Sequence, residues 1–436
     1  MRLTRGEAAW TLTEAANEPF FNLVIRYVFA PYFATTIAGG AAGGASLWGY
    51  AVGASGLAIA LGAPLLGSVA DSGARLKPWL GGAALFTLLA AAGLWLGVPG
   101  APLLLIAALV FVGGVSAEFM NMFANALLPV CARPERMGML SGVAFGLSQL
   151  AGLAALGLVL GLARLEIPVP HFSDRIAGPL AAGAVLLFIL PYLLVGPDRT
   201  GARAGPSLGR GVRDLLSTVR EAWGSPRLRA FLVGRMVAAD GMAIVFTFGA
   251  VLAGITFGWK TSELALFGLV ITGFAIVGGF LGAWLDPRIG AYRLALTGLF
   301  LIILGTLSVV LTDATRLFGV PTGVALGAPL ASPQEWGFIG AGALVASGAA
   351  FAVAAMRTLM AQLAPPGKLA AYFGLYSFVG KATAFVGPFL VAFLTDLTGS
   401  LRPGIAVALA FLVAGFLLLR RVGLHSLPVA GPSSSA

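Results

Sequence analysis

Twelve long apolar stretches run through this chain, each about long enough to cross ~30 Å of hydrocarbon as a helix. They cover 15–40, 47–70, 79–98, 103–130, 138–163, 178–196, 230–256, 264–285, 292–312, 335–362, 369–396 and 402–420. Lipid offers no partner to a backbone N–H or C=O, so only helices and closed barrels span it. Barrel strands are short and alternate apolar with polar positions. These runs are long and apolar on all sides, so the expected fold is an all-α membrane protein of twelve transmembrane helices. Only 10% of the residues are charged, against the ~25% of a soluble domain, which points the same way. Residues 1–14 are polar, and the first apolar run has no small-residue cleavage site. It therefore reads as a span that stays, not as a cleaved leader.

Seven charged residues sit inside these spans: Arg26, Arg235, Arg357 and Lys381 against Glu18, Glu118 and Asp240. Each costs at least ~2.5–3.5 kcal/mol to place in hydrocarbon. They are expected to face a polar interior, as a solute or ion pathway or as ion pairs between helices. In the fourth span, Glu118, Asn121 and Asn125 fall on one helix face. Glu118 has no basic neighbour on its own helix, so it is the first candidate for a proton-binding carboxylate. Glu18 and Arg26 lie two turns apart in the first span, with Asn17 and Asn22 adding polarity and Pro19 expected to break the helix. Arg235 and Asp240 are five residues apart and point in different directions, so each should meet another helix. Lys381 has a structural tie to a carbonyl or carboxylate as its plainer reading. The seven sum to +1 when ionised, which favours an anionic or zwitterionic solute, and arginine suits a carboxylate. Trp48 and Trp79, near span ends, read as interfacial anchors.

The +10 net charge is unevenly distributed. With the N-terminus inside, most of the basic residues fall on that side, including Arg2, Arg5, Arg75, Lys77, Arg133, Arg136, Arg288, Arg293, Lys368, Arg420, Arg421 and the run within 197–229. Arg164, Arg175, Lys260, Arg316 and Arg402 fall opposite. This is the positive-inside bias. It places both termini in the cytoplasm and makes nucleic acid an unneeded partner.

The longest basic stretch, 197–229, lies after six spans and before six. It divides the chain into a six-helix half (1–196), a cytoplasmic linker (197–229), a second six-helix half (230–421) and a tail (422–436). Val212, Leu215, Leu216, Val219 and Trp223 give the linker an amphipathic helical pattern. The second span ends with Gly67 and Asp71, then Arg75 and Lys77, and the eighth ends with Gly282 and Asp286. This motif resembles the signature of the major facilitator superfamily, whose halves are parallel repeats around a midplane site. The resemblance implies a gating role for those six residues and a cavity lined by helices 1, 4, 7 and 10.

Further blocks narrow the match: Asn17 to Phe21, Phe29 to Phe33, Asn125 with Pro129, Arg235 with Asp240, and Pro365 through Tyr376 and Lys381 to Pro388. Together they resemble the autophagy-related vacuolar amino-acid effluxers and their bacterial homologues. The family's acidic-aromatic opening is here Glu14, Ala15, Ala16 and Asn17, and its polar run before the Pro-Pro turn keeps only Arg357.

One cysteine and two histidines outside the spans leave no usual ligand set for a metal or haem, and no phosphate-binding loop is present. No cofactor is expected and the chain does not read as an enzyme. The expected function is secondary transport of a small polar organic solute, with protons and membrane lipids as the other partners. The expected protein is a monomer in a bacterial inner membrane. A lipid or lysolipid flippase on the same fold, or a non-transporting receptor, are the alternatives.

Overall fold

The computed structural model describes residues 3–71, 75–132, 134–165, 167–198, 217–365 and 369–423. Twelve of its helices are long and apolar enough to cross a membrane. We number them α1 (Arg5–Ile37), α2 (Ala41–Asp71), α3 (Lys77–Gly93), α4 (Leu103–Cys131), α5 (Pro134–Ala163) and α6 (Ala177–Val195). The second six are α7 (Pro226–Phe257), α8 (Thr261–Ile289), α9 (Ala291–Leu311), α10 (Pro333–Leu363), α11 (Leu369–Ala382 continued by Val386–Thr398) and α12 (Leu401–Arg420). A two-stranded hairpin, β1 (Arg316–Leu317) with β2 (Val320–Pro321), joins α9 to α10.

The first span starts earlier than its hydropathy suggests. Residues 5–15 are helical and mostly buried, although Thr, Glu and Arg lower their hydropathy. Their polarity is satisfied locally. Thr4 and Glu7 form a reciprocal N-terminal cap. The Thr11 and Thr13 hydroxyls donate to carbonyls three residues back, and Trp10 Nε1 donates to Ala124 O of α4 at 2.7 Å. This brings Glu14 inside the span.

Proline sets where α1 and α11 break. A proline has no N–H, and its ring clashes with the carbonyl four residues earlier. Four before Pro19 is Ala15, where the first helical segment of α1 ends. Four before Pro31 is Tyr27, the last residue of a π-helical segment, Phe21–Tyr27. Four before Pro388 is Ala384, inside the turn that splits α11. The widened π turns of α1 carry Asn22 and Arg26.

Glycine sets how closely the halves approach. Along α2, a Cβ on Gly49 would lie 2.9 Å from Ala392, and one on Gly53 would lie 3.1 Å from the Phe389 ring. A small-residue face therefore packs against α11, as in other intramembrane contacts. Tyr50 adds one directional bond, its hydroxyl donating to Asp396 at 2.8 Å. A second link between the halves joins Thr261 at the start of α8 to Asp174.

Trp48 is not an interfacial anchor. It is 0% exposed and packs on Phe29 and Phe33. Trp79, by contrast, is exposed. Of the linker, residues 217–224 are helical, with Ala222 buried and Trp223 outward. Val212, Leu215 and Leu216 lie outside the described residues.

Asp198 closes the open N-terminus of α3, accepting from Leu76 N at 2.9 Å and Lys77 N at 3.4 Å. Lys77 Nζ donates to Gly196 O beside it. Asp198→Ala removes an N-terminal cap and is expected to cost ~1 kcal/mol. The measurement is the thermal unfolding midpoint in detergent; an unchanged midpoint would show that the cap contributes nothing.

Candidate functional site

On α1, Glu18 and Arg26 form an ion pair at 2.7 Å, and the same Arg26 nitrogen donates to Asn22 Oδ1 at 2.9 Å. The spacings of eight and four residues place all three on one face of the widened helix. The Phe21 ring lies 5.7 Å below the guanidinium. This group fits against α5 only because position 152 is glycine. A Cβ there would lie 2.5 Å from Asn22 Nδ2 and 2.8 Å from Glu18 Cγ. Asn17 and Asn22 are both buried, and Asn17 Oδ1 and Asn22 Nδ2 have no hydrogen-bond partner among the described residues.

Glu118 of α4 pairs with Lys381 of α11, across the two halves. The two are 263 residues apart in sequence, so helix spacing gave no hint of the pairing. The tie to a carboxylate is therefore the arrangement Lys381 adopts. One turn below Glu118, Asn125 Nδ2 donates to Asn121 Oδ1 at 2.9 Å.

On α7, Arg235 and Asp240 do not meet each other, in accord with their helical angles. Both turn to α11. Arg235 Nη1 donates to Tyr376 O at 2.7 Å, and its guanidinium stacks 3.4 Å over the Tyr376 ring. Asp240 is 4% exposed and faces Thr383. Among the described residues the Thr383 hydroxyl closes no bond of full hydrogen-bond geometry.

Glu14 is the site residue that sequence reading missed. It lies within electrostatic reach of Arg357 on α10, Glu18 on α1 and Lys381 on α11. The signal was present in its spacing, one helical turn before Glu18, but Glu14 fell one residue outside the expected first span. Its inclusion changes the charge balance. Added to the seven, Glu14 gives four acidic residues (Glu14, Glu18, Glu118, Asp240) against Arg26, Arg235, Arg357 and Lys381, which sum to zero, not +1, when all are ionised.

The gating-motif residues are described in part. Gly67 and Asp71 are described only as backbone of α2. Arg75 is exposed, and Lys77 holds the Gly196 carbonyl. On α8, a Cβ at Gly282 would meet the Phe351 ring of α10 at 3.2 Å. Asp286 Oδ2 accepts from Thr358 of α10 at 3.2 Å. This corner thus joins α8 to α10 within the second half.

Residues 34–426 match the model of the family described as vacuole effluxer Atg22 like. An uncharacterized transporter of the major facilitator type from Bacillus subtilis, YxiO, is 23% identical over 433 residues, covering 96% of this chain and 95% of that protein. Autophagy-related protein 22 of Yarrowia lipolytica is 27% identical over 203 residues, 47% of this chain. The matched part spans only 33% of that fungal protein's length. Among solved structures, the nucleoside transporter NupG superposes with a TM-score of 0.70 at 10% identity, covering 96% of this chain and 99% of that one. A D-xylose–proton symporter superposes with a TM-score of 0.70 at 12% identity, covering 95% and 96%. These two likenesses concern the fold alone: twelve helices in two six-helix halves. By its family match and its architecture, the chain belongs to the Atg22-like effluxer family and is a multi-pass transporter of the major facilitator type, not an enzyme.

Proposed function

We propose that this protein moves a small polar organic solute by secondary active transport, alternating access between two sides of a bacterial inner membrane. The two halves, 1–196 and 230–421, rock about a site near the midplane, joined by the linker 197–229. Both termini, including the tail 422–436, lie in the cytoplasm, and one copy suffices for transport. Asn17, Glu18, Arg26, Glu118, Asn121, Asn125, Arg235, Asp240, Arg357 and Lys381 line the pathway, with Glu14 added to them. Gly67, Asp71, Arg75, Lys77, Gly282 and Asp286 act at the gates.

One observation carries this reading. Charged groups from α1, α4, α10 and α11 come together between the two halves, and among the described residues the ion pair of Glu118 with Lys381 bridges them. A bundle that needed only to remain folded in lipid gains nothing from such groups. Their balance suits a solute of zero net charge that carries both signs, such as an amino acid or a related zwitterion. Its carboxylate would find guanidinium groups, and its ammonium would find Glu14 or Asp240. The pairing of Glu118 with a basic group makes it a carboxylate that can exchange a proton for a lysine contact, which supports proton coupling.

The test is flux in proteoliposomes with and without an imposed pH gradient, using pooled amino acids and small carboxylates. Gradient-driven movement of one compound, lost in Glu118→Gln with the protein still folded, is the expected result. Flux of that compound at the parental rate in Glu118→Gln would remove the proton role. Movement of a labelled lysolipid, with no movement of any polar solute, would replace the substrate class.

A further inference from the structure

The segment between α9 and α10 is an apolar surface held in a fixed shape. Over 313–332 its only charged side chains are Asp313 and Arg316, among Leu, Phe, Val, Pro and Ala. Phe318 is 47% exposed and Val320 67% exposed. In water such a segment would normally collapse or be polar. Here it does neither, because its backbone is tied from below.

The ties are polar and local. Asp313 Oδ1 accepts from the backbone N–H groups of Thr315 and Arg316 at 2.8 and 2.9 Å. Gln334 Nε2 donates to Thr322 Oγ1 at 2.6 Å and to Val324 O at 2.8 Å. Glu335, buried, accepts from Leu330 N, from Ser332 N and from Trp259 Nε1 at 2.8 Å. The Leu317 side chain rests on Gly337 of α10, where any Cβ would collide with it. The hairpin is therefore pinned to the ends of α9 and α10, with the edge of the Phe318 ring near Gly337 and the rest of that ring, like Val320, exposed.

The apolar tip continues a surface that already faces lipid. On α9, Leu304, Leu307 and Leu311 are exposed at helical spacing and lead to the hairpin. Trp336, at the first turn of α10, is exposed and donates its Nε1 to Leu330 O at 2.9 Å. Tryptophan in that position, with its ring out and its N–H used, belongs at a membrane–water boundary. Arg316, exposed beside the tip, suits a lipid phosphate.

We propose that the α9–α10 hairpin is a membrane-docking element, with Phe318 and Val320 inserted among the acyl chains of the adjacent leaflet and Arg316 at its headgroups. The occupant is lipid rather than a protein partner, because the patch is continuous with the lipid-facing side of α9.

The experiment places single cysteines at Phe318 and Val320 in a Cys131→Ser background, each carrying a nitroxide label. The full chain is reconstituted in phosphatidylcholine–phosphatidylglycerol vesicles. Leu304 serves as the lipid reference, and Arg227, exposed at the start of α7, as the water reference. Collision with oxygen is compared with collision with a water-soluble nickel chelate. The expected oxygen-to-nickel ratio at 318 and 320 matches that at 304 and exceeds that at 227 several-fold. A ratio at both positions equal to that at 227 overturns the proposal. So does exclusion of both reagents with spin–spin broadening, which would mean that a second copy covers the patch. Val320 is the more exposed of the two, so its label disturbs packing least, and the reading at 320 decides if the two differ.

Discussion

Lys381→Met is expected to abolish solute flux and to destabilise the folded protein by ~1–3 kcal/mol. The figure lies between the ~0–1 kcal/mol of a solvated ion pair and the ~3–5 kcal/mol lost when one member of a fully buried pair is removed. The intermediate value follows from exposure: the Lys381 side chain is 46% exposed and that of Glu118 18%. Removing the lysine leaves the Glu118 carboxylate without its ammonium, between the halves. The double variant Glu118→Gln with Lys381→Met removes both charges and should recover most of the lost stability. It should not recover transport, because the titrating group is gone. Unfolding midpoints of the four proteins of the cycle, together with flux, separate the two effects. Equal midpoints in all four would show the pair to be energetically idle. Parental flux in Lys381→Met would take Lys381 out of the pathway.

The second large effect is expected at a residue with no functional atoms. Gly152→Val should disable transport while leaving every charged residue in place. A Cβ at 152 would stand 2.5 Å from Asn22 Nδ2 and 2.8 Å from Glu18 Cγ, well inside contact distance. Asn22 is buried and holds Arg26, so it cannot swing away without breaking that bond. Either α5 moves outward or the Glu18–Arg26–Asn22 group is rebuilt. Overpacking of this kind costs ~1–3 kcal/mol. Gly157, on the same helix, has nothing within 4 Å of its Cβ direction. Gly157→Ala therefore serves as the comparison, and its flux and stability should stay at parental levels. Similar flux losses at 152 and 157 would mean that α5 itself, and not the Glu18 group, is sensitive.

Much of the architecture was legible because hydrophobic length is a strong and local signal. Twelve runs gave twelve spans, and the halves followed from their even division. The breaks were legible in part. Pro19 announced one, and the same rule applied to Pro31 and Pro388 accounts for the others. The errors have a common cause, which is that hydropathy treats a residue as if it were alone. Residues 5–14 looked too polar to span because threonine hydroxyls that bond back to their own turn count as polar. Glu14 was lost with them. Trp48 looked like an anchor from its position near a span end, yet the Gly-rich start of α2 lets it fold inward onto Phe29 and Phe33. The partner of Glu118 was not legible at all. Helix periodicity reports neighbours three or four residues away, and Lys381 reaches Glu118 only through the packing of one half on the other. Asp240 and Arg235 were easier, because their angular separation on α7 already sent them to different partners.

The proline breaks in α1 and α11 bear on hydrogen-bond stoichiometry. Arginine and lysine are donors only: three guanidinium groups and one ammonium bring many N–H bonds to the site and no acceptor. The four carboxylates cannot match them all. Each proline removes one amide N–H, so the carbonyls of Ala15, Tyr27 and Ala384 are deprived of their ordinary helical donor. They belong to the two helices that carry Glu14, Glu18, Arg26 and Lys381. Arg235 already takes a carbonyl, that of Tyr376, as its acceptor. The broken helices therefore shift the local balance toward acceptors, where the basic side chains have made donors abundant.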